Sequence, residues 1–459
     1  MRKTSRWVIL LLAIMALLSA CGAGGDDGQD PEVLLTGKWT WIAGAGNGEP
    51  PTAVYGTKGV PDPANVPGGR PGSASWIDTG GKLWLFGGGT RIGGLYYWND
   101  LWRFDPATRE WTWMSGSDDI NQPAVYGTKG VADPANVPGA RNCAVSWTGP
   151  DGEFWLFGGQ GGGFSDYFSD LWHYDPATGY WTWISGSDVQ NQPGVYGTKG
   201  VADPANTPGA RSGSVTWIDS GGKLWLFGGE TAYRSRANDL WRFDPATLEW
   251  TWMAGTDIAN HMGVYGTKGV ADPANFPGSR QGAVSWLDSE GRFWLFGGDF
   301  ATASPALSYR NDLWRLDPST LVWTWMSGES DYGSHGSYGR KGMAGPASGP
   351  GGRYGAASWT GPDGKFWLFG GERGNVDYSD LWQYDPATGY WTWVSGSSAN
   401  NQAGIYGTKG TADPDNFPGA RHGAAAWTDA GGRLWLASGE AAIGYGGYND
   451  LWHFVIDPR

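Results

Sequence analysis

From residue 37 onward, apolar positions come in short bursts separated by polar turns. Four bursts recur in a fixed order with a period near 70 residues; one set reads CAVSW (143–147), EFWLFGG (153–159), DLWHYD (170–175) and YWTWISG (180–186). Each is rich in aromatic or β-branched residues and bounded by Gly, Pro, Asn or Asp, the signature of a short strand between turns. Four antiparallel strands repeated radially make a β-propeller blade, so the pattern predicts an all-β ring. The last set stops at Asp457-Pro458-Arg459 without a fourth burst, while Gly37-Lys38-Trp39-Thr40-Trp41-Ile42 supplies one with nothing before it. The two ends are therefore expected to complete one blade together, closing a single six-bladed domain over residues 37–459.

Two marks recur within each set. A glycine doublet ends the second strand (Gly87-Gly88, Gly158-Gly159, Gly228-Gly229, Gly297-Gly298, Gly370-Gly371), and a third-strand aromatic precedes a fourth-strand Trp, as in Tyr174 and Trp181. Leu316 replaces the aromatic once, and Ser438-Gly439 replaces the last doublet. These marks resemble the Kelch repeat over nearly all of residues 37–459, which implies a Kelch-type propeller similar to the central domain of galactose oxidase. Of the 32 Trp, five per set recur at matching places, such as Trp76, Trp84, Trp102, Trp111 and Trp113. A ring demanded in every blade points to packing between blades rather than to a ligand platform. Trp98 stands outside that pattern.

Between blades runs a Gly- and Pro-rich stretch, VYGTKGVADPANVPGAR at 125–141, with copies at 54–70, 195–211, 264–280, 337–353 and 405–421. Its position predicts thickening of one face around the channel mouth, and its sameness around the ring argues for a scaffold. Every copy ends in Arg (Arg70, Arg141, Arg211, Arg280, Arg353, Arg421), and every third strand opens with Asp (Asp100, Asp170, Asp239, Asp312, Asp380, Asp450). Arg–Asp bridges are the expected role, with an anion site as the alternative.

Specific recognition requires positions where the repeats disagree. After each Arg come Pro71, Asn142, Ser212, Gln281, Tyr354 and His422; after each glycine pair come Gly89, Gln160, Glu230, Asp299, Glu372 and Glu440. The loops between second and third strands add Tyr96, Tyr97, Trp98, Tyr167, Arg234, Arg236, Tyr309, Arg310, Tyr378 and Tyr448. Aromatics beside hydrogen-bonding groups suit a glycan or a protein surface, so these loop residues with Tyr354 and His422 form the expected binding site. The leading expectation is a noncatalytic binding module with no metal and no cofactor. The copper site of galactose oxidase needs a second well-placed His, whereas His173 and His453 read as surface residues and Cys143 fills a slot that is Gly in the other sets. The alternative is a metal-free sugar mutarotase, similar to the periplasmic sialic acid mutarotase among Kelch propellers, with His422, Glu230, Glu372 and Glu440 as its acid–base candidates.

Charge and the first residues set the setting. Arg2, Lys3 and Arg6 precede an apolar run from Trp7 to Leu18, too short to span a bilayer, which reads as an export signal over residues 1–20. Leu18-Ser19-Ala20-Cys21 resembles a bacterial lipobox, which implies lipidation of Cys21 and a flexible tether over 21–36. Gly22, rather than Asp, after that cysteine favours the outer membrane or cell surface of the envelope. The net charge of −13 excludes nucleic acid as a natural partner. Beyond Cys21 only Cys143 remains, so packing rather than a disulfide must hold the fold.

Overall fold

The computed structural model describes residues 34–45, 53–90, 94–163, 165–300, 308–331, 333–441 and 447–458; the signal segment, Cys21 and the tether before Leu34 lie outside them. Six antiparallel blades form a closed ring. In the second blade the strands Val145–Thr148, Phe154–Phe157, Leu171–Asp175 and Tyr180–Ser185 pair in sequence order. Closure is as expected: Gly37–Ala43 pairs with Leu451–Ile456, setting Trp39 opposite Phe454 and completing the blade begun by Ala425–Thr428.

Each second strand is buried on both faces, as in Phe154–Phe157, because neighbouring blades cover both sides of it. First strands alternate, as in Val215–Ile218, where Val215 and Trp217 are buried and Thr216 and Ile218 only partly so. The core therefore lies between blades. Trp76 stacks on Phe154 of the next blade at 5.1 Å and 13°, and Trp217 and Trp286 stack likewise on Phe293 and Phe366 at 7° and 8°. The Trp76 Nε1 also donates to the Trp147 carbonyl at 3.1 Å, so the indole both packs and bonds across the seam.

The glycine doublets are made for the same seam. Gly158 and Gly159 take φ of 66° and 102°, and the Gly159 N–H donates to the Arg211 carbonyl of the next blade at 2.8 Å. A Cβ on Gly158 would lie 2.5 Å from that carbonyl. Ser438 holds the equivalent conformation at φ 63°, and its hydroxyl accepts the Arg70 N–H at 2.9 Å across the closing seam.

The repeated loops reach further than their position in the chain implies. Besides leading to the channel, each runs along the outer edge of the blade that follows it. Tyr126 packs on Trp172 and Trp183, Lys129 lies 4.2 Å from the Trp183 ring, and Asp133 bridges to Trp181. The Asn136 amide donates to the Trp181 carbonyl at 3.1 Å and the Lys129 ammonium to the Gly186 carbonyl at 2.8 Å. In two blades the contact lengthens into a short strand, Ala202–Asp203 or Ala344–Gly345. An outermost strand otherwise presents a free edge that would pair with other chains.

His173 and His453 correct their reading as surface residues. Both are half-buried, with ring centroids 4.9 Å from Trp155 and Trp435 respectively. Burial disfavours their charged forms, pushing His173 down and His453 down to about 4.

Candidate functional site

The six arginines pair with the six aspartates. Arg141 binds Asp170 bidentately at 2.6 and 2.7 Å, and the same fork recurs at Arg70–Asp100, Arg211–Asp239, Arg280–Asp312, Arg353–Asp380 and Arg421–Asp450. The Asp170 carboxylate also accepts the Tyr126 hydroxyl at 2.9 Å and the Trp172 Nε1 at 2.7 Å, while Arg141 donates to the Gly139 and Gly158 carbonyls. With both side chains fully buried, the pair's bonding capacity is used internally, which removes the anion-site alternative.

Counting back from each Asp separates two columns of loop residues. In the first five blades the residues three positions before it are Tyr97, Tyr167, Arg236, Tyr309 and Asp377; in all six the residues two before it are Trp98, Phe168, Ala237, Arg310, Tyr378 and Tyr448. In extended chain adjacent residues take opposite sides. The first column, Asp377 apart, lines a central cavity of about 610 Å³, and Asp377 reaches the same place through His422. The second column turns to the Arg–Asp pairs: Trp98, Phe168, Tyr378 and Tyr448 lie 5.2, 4.1, 4.4 and 4.0 Å from the guanidinium carbons of Arg70, Arg141, Arg353 and Arg421. Arg310 likewise packs on Phe300 and donates to the Tyr265 hydroxyl at 2.7 Å. Trp98, Arg310, Tyr378 and Tyr448 are thus placed away from the cavity, and Tyr96 pairs with Thr90 in a small hairpin beside it.

The floor of the cavity is a ring of backbone bonds. The N–H of Cys143 donates to Gly72, Gly213 to Cys143, Gly282 to Gly213, Gly355 to Gly282, Gly423 to Gly355 and Gly72 to Gly423, all at 2.7–2.9 Å. Glycine suits this throat: a Cβ on Gly282 would strike the Tyr354 ring, and Cys143 holds its place at φ 50°. Just above the ring, the two variable positions of each blade face one another as backbone pairs: Asn142 with Gln160, Ser212 with Glu230, Gln281 with Asp299, Tyr354 with Glu372 and His422 with Glu440. All ten line the cavity, together with Tyr97, Tyr167, Arg234, Arg236 and Tyr309.

Two charged groupings break the symmetry of this wall. Arg236 bridges Glu230 at 2.8 Å and Asp299 at 3.0 Å, joining two blades. Across the cavity the His422 Nδ1 lies 2.9 Å from Asp377 and its Nε2 3.4 Å from Glu372. Burial opposes the imidazolium, but the hydrogen bond and charge of Asp377, with Glu372 and Glu440 nearby, outweigh it and hold His422 above its ordinary value. Burial also pushes the Glu372 carboxyl up, against the pull of His422. The three side chains bring one donor atom each within 4.8 Å of one another, one short of the four protein ligands of a structural zinc site and equal in number to those of a catalytic one. Chemically they form an Asp–His–Glu relay able to hold or move a proton.

Asp377 is the member the sequence reading missed. Its signal was present: it occupies the column that holds Tyr97, Tyr167 and Tyr309, and a carboxylate there departs from an aromatic pattern.

Comparison with known proteins agrees with this architecture. Residues 199–415 match the family model described as the KLHDC2/KLHL20/DRC7 Kelch-repeats domain. The match covers just under half of the chain, which over those residues is similar to a Kelch-repeats domain. An F-box/kelch-repeat protein of Arabidopsis thaliana is 26% identical over 192 residues, covering 41% of this chain and 36% of that relative. The chain thus spans about a third of the length of that Kelch relative.

Proposed function

We propose that this Kelch propeller is a noncatalytic binding module whose site is the central cavity, and that its ligand is a neutral glycan. The observation that carries the proposal is the loss of sixfold symmetry in the cavity wall. A scaffold repeated around the ring needs the same groups in each blade, whereas the variable pairs supply a different hydrogen-bonding set in each. Amide, carboxylate and phenol groups around one bowl complement hydroxyl-rich ligands, and tyrosine rings offer apolar faces for sugar C–H groups. Arg236 bridges both Glu230 and Asp299, and around the whole cavity two arginines, Arg234 and Arg236, with His422 face five carboxylates, Glu230, Asp299, Glu372, Asp377 and Glu440. That balance disfavours acidic sugars. The export signal and Cys21 place the module, in this reading, on a lipid anchor at the outer membrane or cell surface, where glycans are available.

Proton NMR of the protein with neutral, amino and acidic sugars tests the reading. Neutral sugars should show line broadening that Gln160→Ala and Gln281→Ala together weaken at least tenfold; silence across the neutral sugars, or tightest binding of acidic ones, would overturn it. The relay of Asp377, His422 and Glu372 favours a second reading, metal-free anomer interconversion, in which His422 and Glu372 exchange protons with the sugar. Accelerated anomer exchange in the same spectra, abolished by His422→Gln, would replace the first reading with this one.

A further inference from the structure

The sixfold repeat exposes one vacancy. In blades one, two, five and six the residue two before the Asp is aromatic, and its ring lies on the guanidinium of that blade's Arg. Blade four fills the place with Arg310, packed on Phe300 and Tyr265. Blade three has Ala237 there. The space left is a cavity of about 450 Å³ lined by Arg211, Ala237, Gly209, Ala210, Tyr196 and Ile258, among others.

The residues around it match those that surround the ring in the filled blades. In blade six the Tyr448 ring lies 4.0 Å from the Arg421 guanidinium carbon, and its hydroxyl donates to the Ala420 carbonyl. A Cβ on Gly419 would lie 3.0 Å from that hydroxyl, so a glycine makes room for the phenol. Gly209, Ala210 and Arg211 stand in the same order in blade three, facing the cavity. Arg211 keeps the same in-plane bonds, to Asp239 and to the Gly209 and Gly228 carbonyls, and among the described residues no ring covers its face. A guanidinium with its in-plane donors used still attracts the negative face of an aromatic ring. Ile258, 66% exposed at the rim, gives an entering ring apolar contact from the solvent side.

We infer that the cavity over Arg211 is a docking slot for an aromatic side chain of a partner polypeptide, which supplies in trans the ring that four other blades supply in cis. An amino-acid side chain is the indicated occupant because every aromatic filling the equivalent place is one: Trp98, Phe168, Tyr378 or Tyr448. The slot is separate from the central cavity, since none of the residues lining it lines the other. Its occupancy is therefore independent of the glycan reading.

Saturation-transfer NMR on the full chain decides the matter, with acetyl-Gly-Trp-Gly-amide, acetyl-Gly-Leu-Gly-amide and indole as probes. The tryptophan peptide should receive saturation on its ring protons, with a Kd at least threefold below those of indole and the leucine peptide. Ala237→Tyr should abolish the transfer by filling the slot from within, whereas Gln281→Ala in the central cavity should leave it unchanged. Ile258→Asp, at an exposed position, should weaken it and serves where Ala237→Tyr does not fold. Equal binding of the leucine peptide would overturn the requirement for a ring. Equal binding of indole would overturn the polypeptide partner in favour of a free aromatic molecule. No transfer to the wild-type protein, or transfer that survives Ala237→Tyr in a folded variant, would overturn the slot itself.

Discussion

At the scale of single residues, the buried Arg–Asp fork dominates. Burial favours the neutral form of a carboxylate, yet at Asp239 the Arg211 guanidinium with the Trp241 and Tyr196 donors holds the group below the usual carboxylate range. Removing one partner leaves an uncompensated buried charge, so Asp170→Asn should lower stability by about 3–5 kcal/mol in urea unfolding; a loss below about 1 kcal/mol would show that the fork is not a structural necessity. His422 has the opposite linkage sign to an acid held low. Its folded value lies above the unfolded value of about 6.5, so its contribution is fully present below that pH and lost as pH rises through the folded value. The melting temperature of the wild type should therefore exceed that of His422→Gln most below pH 6, with the gap narrowing as pH rises; a gap that widens would contradict the relay with Asp377 and Glu372.

At the scale of elements, the repeated loop is a clamp on the outermost strand. Asn206 is its clearest contact: the amide donates to the Val201 carbonyl at 3.0 Å within the loop and to the Trp250 carbonyl at 3.1 Å on the strand. Asn206→Ala strands a buried carbonyl and should cost about 1–3 kcal/mol, with faster hydrogen exchange at Glu249–Ala254 and at no other outermost strand. Uniform exchange across the blades would refute a local clamp. The strands themselves were legible because alternating and doubly buried patterns differ along the chain, as Val215–Ile218 and Phe154–Phe157 illustrate. The loop's route was not legible. Its Gly and Pro positions fix local turns, whereas the edge it covers belongs to strands about 45 residues later, as with Asn136 and Trp181.

At the scale of the whole molecule, the ring closes through one strand pair. Gly37–Ala43 contributes Trp39 to the seam with Phe369 and Phe454 and satisfies the outer edge of Leu451–Ile456. Deleting Gly37–Ala43 should lower the melting temperature by more than 10 °C and produce oligomers in size-exclusion chromatography, because an exposed strand edge pairs with other chains. A monomer of unchanged stability would mean that five complete blades hold the ring without closure. The central cavity is also a property of the whole, since all six blades contribute to its wall.

The sequence alone determined the strand order and the blade count, because the blade repeats six times and a repeated pattern shows itself in the spacing, and the closing strand, because the last set lacks the fourth burst that Gly37–Ala43 supplies; it favoured the Arg–Asp pairing, which the fold then settled. It also marked the two variable positions beside the throat, where repetition fails. Tertiary structure alone decided which loop aromatics face the cavity and which cover an arginine: Tyr97 and Trp98 are neighbours of similar chemistry, and only the direction of the extended chain at that point separates them. It alone joined Asp377 to His422, 45 residues apart on adjacent blades. The vacancy over Arg211 likewise required the fold, since Ala237 is unremarkable until the rings of the other blades show what it leaves out.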